Sequence, residues 1–250
     1  MTRMIAVAGK GGVGKTTCAA LLARALVAGG VRPVLAVDAD PNSNLHLLLG
    51  FPMPTPLGSL REELLEEREK SAPRETLLEA MVQRRVAEGK DVDLVTMGRG
   101  EGPGCYCYVN NLLRRSLLRL SGNYSAVVVD NEAGMEHLSR RNLRRIDHLV
   151  LVADPSPRGL SAAQSIRELA GQLSLPVGRT WLLLNRPYSA QGGIGCPPPS
   201  SPPLLAEIPH DPSLPGLELS GRSFLDLPAG SPAATAAEAA ARILISVGPS

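Results

Sequence analysis

Nine consecutive residues, Gly9-Lys10-Gly11-Gly12-Val13-Gly14-Lys15-Thr16-Thr17, join a glycine-rich loop to two ammonium groups and two hydroxyls. The first eight satisfy G-x-x-x-x-G-K-[ST], a pattern whose glycines let backbone N–H groups turn inward around phosphate oxygens. The apolar run before it reads as a strand, and Lys15 to Ala28 reads as a helix whose positive end faces the bound anion. In that setting Lys15 neutralises the β- and γ-phosphates of ATP and Thr16 is a ligand of Mg²⁺. The bland alternative is a glycine-rich turn with no ligand, which leaves the fixed positions and both flanking elements unexplained. Only four of the 26 Lys and Arg residues are lysines, and Lys10 and Lys15 both fall in this loop. Lys10 is either a solvated loop cation or a second charge for the anion, since burying it without a counter-charge is costly.

Two further segments end apolar runs on carboxylates. Val37-Asp38-Ala39-Asp40-Pro41-Asn42 offers two, and Val127-Val128-Val129-Asp130 offers a third. Any one of them alone reads equally well as a turn former or helix cap. Beside a phosphate loop they divide naturally: Asp38 and Asp130 near the water shell of Mg²⁺, which binds few protein carboxylates, and Asp40 toward the attacking water.

Four cysteines in 250 residues are too few for a disulfide scaffold. Cys105 and Cys107 stand at C-x-C spacing in or just before a predicted helix, where the dipole favours thiolate. Two thiolates are half of a tetrahedral Ni²⁺ or Zn²⁺ site, and neither Cys18 nor Cys196 has a spacing that completes it. A two-fold homodimer supplies the missing pair from its second copy. A redox dithiol and an unreactive pair remain as alternatives, and Cys18 reads as a small core residue.

These groups need a scaffold. Short apolar runs at Met4–Ala8, Val34–Asp38, Val92–Met97, Ala126–Asp130, His148–Ala153, Thr180–Asn185 and Leu204–Ile208 alternate with helical patterns at Lys15–Ala28, Leu57–Val86, Val109–Leu120, Glu136–Arg144, Leu160–Leu173 and Ala233–Val247. This pattern predicts an α/β fold: a mostly parallel sheet buried on both faces by helices, in a single domain over 1–250. Asp38, Asp130, Asp154 and Asn185 then converge at the carboxyl rim of the sheet, where ligands bind in open α/β folds. The charge-rich stretch 57–90 reads as a helical surface insertion without a strand, covering one edge of the sheet rather than forming a separate domain, and the Gly-, Pro- and Ser-dense stretch 189–203 as an exposed loop.

Composition narrows the partners. The chain is 44% hydrophobic and 20% charged, so it can bury a core, and its formal charge is only +2. Aromatics are 3% of residues, with no basic–aromatic interleaving, so nucleic acid is not the expected partner. No secretory leader and no run near ~18 apolar residues is evident, so a cytoplasmic protein without a membrane partner is expected.

The loop Gly-Lys-Gly-Gly-Val-Gly-Lys-Thr-Thr resembles the deviant Walker A sequence of the nitrogenase iron protein and MinD/ParA class of P-loop ATPases. That resemblance implies that Lys10 reaches across a dimer interface to the partner's nucleotide and that Asp40 lies in switch I. It also implies that Asp130–His137 forms switch II and that Asn185, with Arg186, lies where the adenine base binds. A turn role for Asn185 is the competing reading. Gly-Cys-Tyr-Cys-Tyr-Val-Asn-Asn-Leu-Leu-Arg, together with Asp130–Arg140 and Asp154-Pro155-Ser156, is similar to the CooC-type ATPases that assist nickel insertion into carbon monoxide dehydrogenase. The resemblance covers about Met4 to Arg186 and departs at 189–203. It implies an ATP- and metal-dependent homodimer with carbon monoxide dehydrogenase as client. The rival functions are a MinD- or ParA-like positioning ATPase and an iron–sulfur carrier. A MinD-like role would need a basic amphipathic helix, yet Ala233–Val247 carries one cation and one anion. A ParA-like role would need a basic stripe, where only Arg140, Arg141, Arg144 and Arg145 cluster, as a solvated helix face equally explains. An iron–sulfur carrier would need a cluster held by four thiolates across the dimer.

Overall fold

A computed structural model describes residues 2–60, 63, 74–98, 115, 117–132, 145–186 and 201–248. Seven strands, β1 (Arg3–Gly9), β2 (Val34–Asp38), β3 (Val92–Thr96), β4 (Ala126–Asp130), β5 (Ile146–Ala153), β6 (Val177–Asn185) and β7 (Leu204–Ile208), form one sheet in the order β3-β2-β4-β1-β5-β6-β7. Every pairing is parallel, so all the carboxyl ends open onto one rim. All seven expected strands are present, most with ends shifted by a few residues. The central strands β1, β2, β4 and β5 are buried along their whole length or nearly so because both faces are covered, as parallel sheets require.

On one face lie α1 (Lys15–Ala28), α2 (Leu45–Leu49) and α6 (Pro232–Ser246), packed on Ile5, Val7, Val34, Ala36 and Val128. Arg24 of α1 donates to Glu238 of α6 at 2.8 Å and to Leu227 O at 2.8 Å, tying the two helices together. On the other face, α4 (Pro157–Gln172) covers β1, β5 and β6 through Ala163, Ile166 and Ala170. Its start is set by Ser156, whose hydroxyl accepts Gly159 N–H at 3.0 Å, with Pro157 at the first helical position.

The stretch 57–90 covers the other half of that face: its described residues Leu57, Leu60, Leu78 and Val82 are buried against Leu35, Val37 and Val127 at the β2–β3 edge. It holds a short 3₁₀ turn at Leu57–Ser59 and α3 (Arg74–Gln83), and Ala87 then forms an antiparallel bridge to Leu94. The charged residues disguise an apolar stripe that closes the sheet's exposed β2–β3 half. Two helices escaped the sequence reading, α2 and α5 (Ser213–Leu219), because five and seven residues are too few to show a helical period. The helices expected at 109–120 and 136–144 and the loop 189–203 lie wholly or mainly outside the described residues. No helix among the described residues is long and apolar enough to cross a membrane.

Candidate active site

The loop joining β1 to α1 is shaped by its glycines. Gly12 and Gly14 sit at φ 77° and 89°, left-handed conformations that L side chains rarely adopt. A side chain at Gly9 would overlap the backbone carbonyl of Val152 in β5 and lie 3.1 Å from Val13 Cγ1, so only glycine lets the loop leave the sheet there. At Gly14 a methyl group would overlap the amide of Asn185. Gly14 is also the N-cap of α1 and offers no side-chain cap, and the first turn carries no acid. The first-turn N–H groups of α1 are therefore left for a ligand, whereas α4 and α6 close theirs with Ser156 and Ser231.

Lys15 is buried, and its Nζ donates to the loop carbonyl of Lys10 at 3.3 Å. Thr16 and Thr17 follow in the first turn of α1. Lys10 and Gly11 are exposed and Val13 is half-buried. Lys10 lies near enough to Asp154, just past β5, for its charge to act there. Its charge, together with the Ser156 hydroxyl as the leading cause, holds the Asp154 carboxyl below the usual range against the effect of burial.

The acids gather on the rim as expected. Asp38 pairs with Thr96 on one side and Asp130 on the other, so the three share one rung and one face of the sheet. Both carboxylates are buried, Asp130 at 1% exposure and Asp38 at 0%. Asp38 accepts Leu45 N–H at 2.9 Å and Asp40 N–H at 3.2 Å. Burial raises its pKa, those two bonds oppose the rise, and the charge of Asp40 adds to it. Asp130 is buried beside like charges. Among the described residues neither of its oxygens has a hydrogen-bond partner at full bonding geometry, the Thr16 hydroxyl being the nearby donor. Burial pushes its pKa up to about 7; Thr16 and then Lys15 pull it down, while Asp38 and Asp40 push it further up. A buried, unpaired carboxylate beside a second one is stable only when neutralised by a proton or a cation.

These groups fit a hard divalent cation, because Asp130 and Asp38 offer oxygens on the face that carries Thr16, and Mg²⁺ prefers oxygen donors. The open N-terminus of α1 and Lys15 could hold the phosphates beside it. Asp40, half-buried, accepts Asn42 N–H at 2.8 Å and lies near enough for its charge to act on both Asp38 and Asp130.

Asn185 is at the rim, but its Nδ2 donates to Val13 O at 2.8 Å. The end of β6 thus braces the phosphate loop from below, a contact between residues 172 apart that no local signal could reveal. Arg186 is exposed, at φ 52°, with its N–H on Ile208 O. Asn131, expected only as part of switch II, has a bracing role that the sequence did not reveal. Its Nδ2 bonds Val7 O at 2.9 Å and Val129 O at 3.2 Å, stitching β4 to β1 directly under the acids. Asn131 follows Asp130 in sequence, which was the available signal. Cys105, Cys107 and Cys196, and residues 133–137 of the expected switch II, lie outside the described residues. Cys18 is fully buried and burial drives its thiol pKa far up, so it is an inert core group.

Comparison with known proteins agrees with this geometry. Residues 4–191 match the CbiA family, described as the CobQ/CobB/MinD/ParA nucleotide binding domain. The chain belongs to that family. An uncharacterized ATP-binding protein of Methanocaldococcus jannaschii is 37% identical over 240 residues, covering 90% of this chain and 91% of the relative. The carbon monoxide dehydrogenase accessory protein CooC of Rhodospirillum rubrum is 33% identical over 240 residues, covering 89% of each chain. Among solved structures, the septum site-determining protein MinD of Pyrococcus horikoshii, complexed with Mg-ADP, superposes with a TM-score of 0.67 at 25% identity over 98% of this chain and 96% of that one.

Proposed function

We propose that this chain is a homodimeric ATP hydrolase whose work is metal delivery, assisting nickel insertion into carbon monoxide dehydrogenase. The observation that carries the ATPase reading is the uncapped N-terminus of α1 beside a buried Lys15 and an unpartnered, buried Asp130. Such a site is electrostatically incomplete without a polyanion and a cation.

In this reading the loop from Gly9 to Thr17 holds the phosphates and Lys15 carries the β/γ charge. Mg²⁺, when bound, supplies neutralisation of the phosphate oxygens, with Thr16, Asp38 and Asp130 as the residues that hold it and its waters. Asp40 accepts a hydrogen bond from the attacking water, which forms the new bond to the γ-phosphorus as the bond to the β-phosphate oxygen breaks and ADP leaves. Lys10 reaches to the nucleotide of the second copy. Asn185 and Arg186 stand where the adenine base is held, with the Asn185 amide also bracing the loop.

The delivery reading is supported by the likeness to CooC along nearly the whole of both chains and by the C-x-C pair. Cys105 and Cys107 of two copies make a four-thiolate site for Ni²⁺ or Zn²⁺. A positioning role through a membrane is less well supported: the apolar side of α6, including Ala233, Ala237, Ala240 and Leu244, is consumed by the core. The test is anaerobic titration of the dimer with Ni²⁺ and with Zn²⁺, with and without ATP. One metal per dimer is expected, lost in Cys105→Ser and Cys107→Ser alike. One metal per chain, or retention in the double variant, overturns the shared site and leaves the ATPase.

A further inference from the structure

The connection from β2 to α2 is held by hydrogen bonds among its own residues, and they converge on Asp40. Asp38 accepts the N–H groups of Asp40 and Leu45. Asp40 in turn accepts Asn42 N–H on its carboxylate at 2.8 Å, and Ser43 N–H and the Ser43 hydroxyl on its carbonyl at 3.0 and 3.2 Å. Ser43 is buried at φ 51°, in the left-handed region, where a residue with a Cβ is strained and persists only if its neighbours hold it. The group on the far side of that strained residue is His46. Its Nδ1 lies 2.7 Å from Ser43 O, and because a carbonyl only accepts, Nδ1 carries the proton. The His46 side chain, at 9% exposure on α2, is thus committed to the turn and not to solvent.

We propose that His46 is a positioning residue for ATP hydrolysis: its Nδ1–H clamps the Ser43 carbonyl, keeps the left-handed turn closed, and so fixes Asp40 at the rim. The inference rests on the role of Asp40 given above. It assigns a function to a residue that no motif marks. The clamp is chemically specific. In asparagine the amide nitrogen is attached to Cγ just as Nδ1 is in histidine, so the variant His46→Asn can donate the same bond, whereas phenylalanine keeps the ring and loses the donor.

The experiment measures phosphate release from Mg-ATP and calorimetric affinity for a non-hydrolysable ATP analogue in the full chain. The variants are His46→Phe, His46→Asn, Asp40→Asn and the double variant His46→Phe with Asp40→Asn. His46→Phe is expected to lower kcat by roughly tenfold to a hundredfold, the size of effect that slight misplacement of a reacting group produces, with KM and analogue affinity nearly unchanged. His46→Asn should restore most of the rate, and the double variant should be no slower than Asp40→Asn alone. If His46→Phe does not fold, His46→Gln replaces it, because its amide sits one methylene too far out and should be as slow. Wild-type kcat in His46→Phe, an equal loss in His46→Asn, or a loss that adds fully to that of Asp40→Asn overturns the clamp while leaving hydrolysis in place. A wild-type protein that releases no phosphate from ATP overturns the hydrolysis reading itself, and the clamp with it.

Discussion

Asp130 makes the free protein pay for its readiness to bind a cation, and replacing it should make the unliganded chain more stable. Its pKa stands at about 7 in the fold against 3.8 in the unfolded chain. An acid raised in this way leaves stability intact below about pH 4, where both states are protonated. It removes stability progressively as pH rises to about 7, and holds the loss constant above. Three units correspond to ~4 kcal/mol at pH 8, an upper bound. The asparagine that replaces it still buries an amide with few partners, which costs ~1–3 kcal/mol. Asp130→Asn should therefore gain about 2 kcal/mol at pH 8, or roughly 4–8 °C in melting temperature for a domain of this size. The assay is thermal unfolding without nucleotide, in the presence of a chelator, from pH 5 to pH 8. The gain should be small at pH 5, grow to about pH 7 and then level off, and the same variant should lose Mg²⁺-dependent hydrolysis. A variant that melts at or below the wild-type temperature at pH 8, or a gain equal at pH 5 and pH 8, would refute the claim that a buried, unpaired charge is held at this position.

Other outcomes follow from the same contacts. Lys15→Ala should abolish measurable ATP binding in a calorimetric titration while leaving the fold intact, because Lys15 donates only to a loop carbonyl here. Gly14→Ala should weaken nucleotide binding and lower stability by ~1–2 kcal/mol in urea unfolding, since φ is 89° and the new methyl overlaps Asn185. Asp211 is buried and accepts bonds from the Ser213 and Ser231 hydroxyls and from Ser213 and Ala233 N–H, binding α5 to the start of α6. Burial alone would raise its pKa, but those four donors hold it at about 2. An acid lowered from 3.8 to about 2 contributes ~2 kcal/mol above pH 4, lost as pH falls from 4 to 2. Acid unfolding of Asp211→Asn should lack that segment of the pH dependence.

The phosphate loop was legible in the sequence because its demands are local. Positive φ at Gly12 and Gly14, a strand before and a helix after are each written in a few adjacent residues. The strands were legible for a related reason: a parallel sheet covered on both faces needs continuous apolar runs, and carboxylates at their ends necessarily share one rim. What the residues could not reveal is which groups meet across that rim. The strand order sets Asp130 beside Asp38 and near Thr16 of α1, buried without a hydrogen-bond partner among the described residues, and that order is a property of the whole sheet. Asn185 reads as a turn or base-binding residue until β6 is placed next to the loop, where its amide meets Val13. The stretch 57–90 is legible as a helical cover for one edge, but which of its apolar residues turn inward is decided by the β2–β3 half of the sheet, against which Leu57, Leu78 and Val82 pack. His46 carries no signal at all, since a single histidine in a five-residue helix acquires meaning only from the strained carbonyl that the turn presents to it. Sequence thus determined the ligand class through local backbone chemistry, while the tertiary structure decided the electrostatics, because burial and partnership are set by residues far apart in the chain.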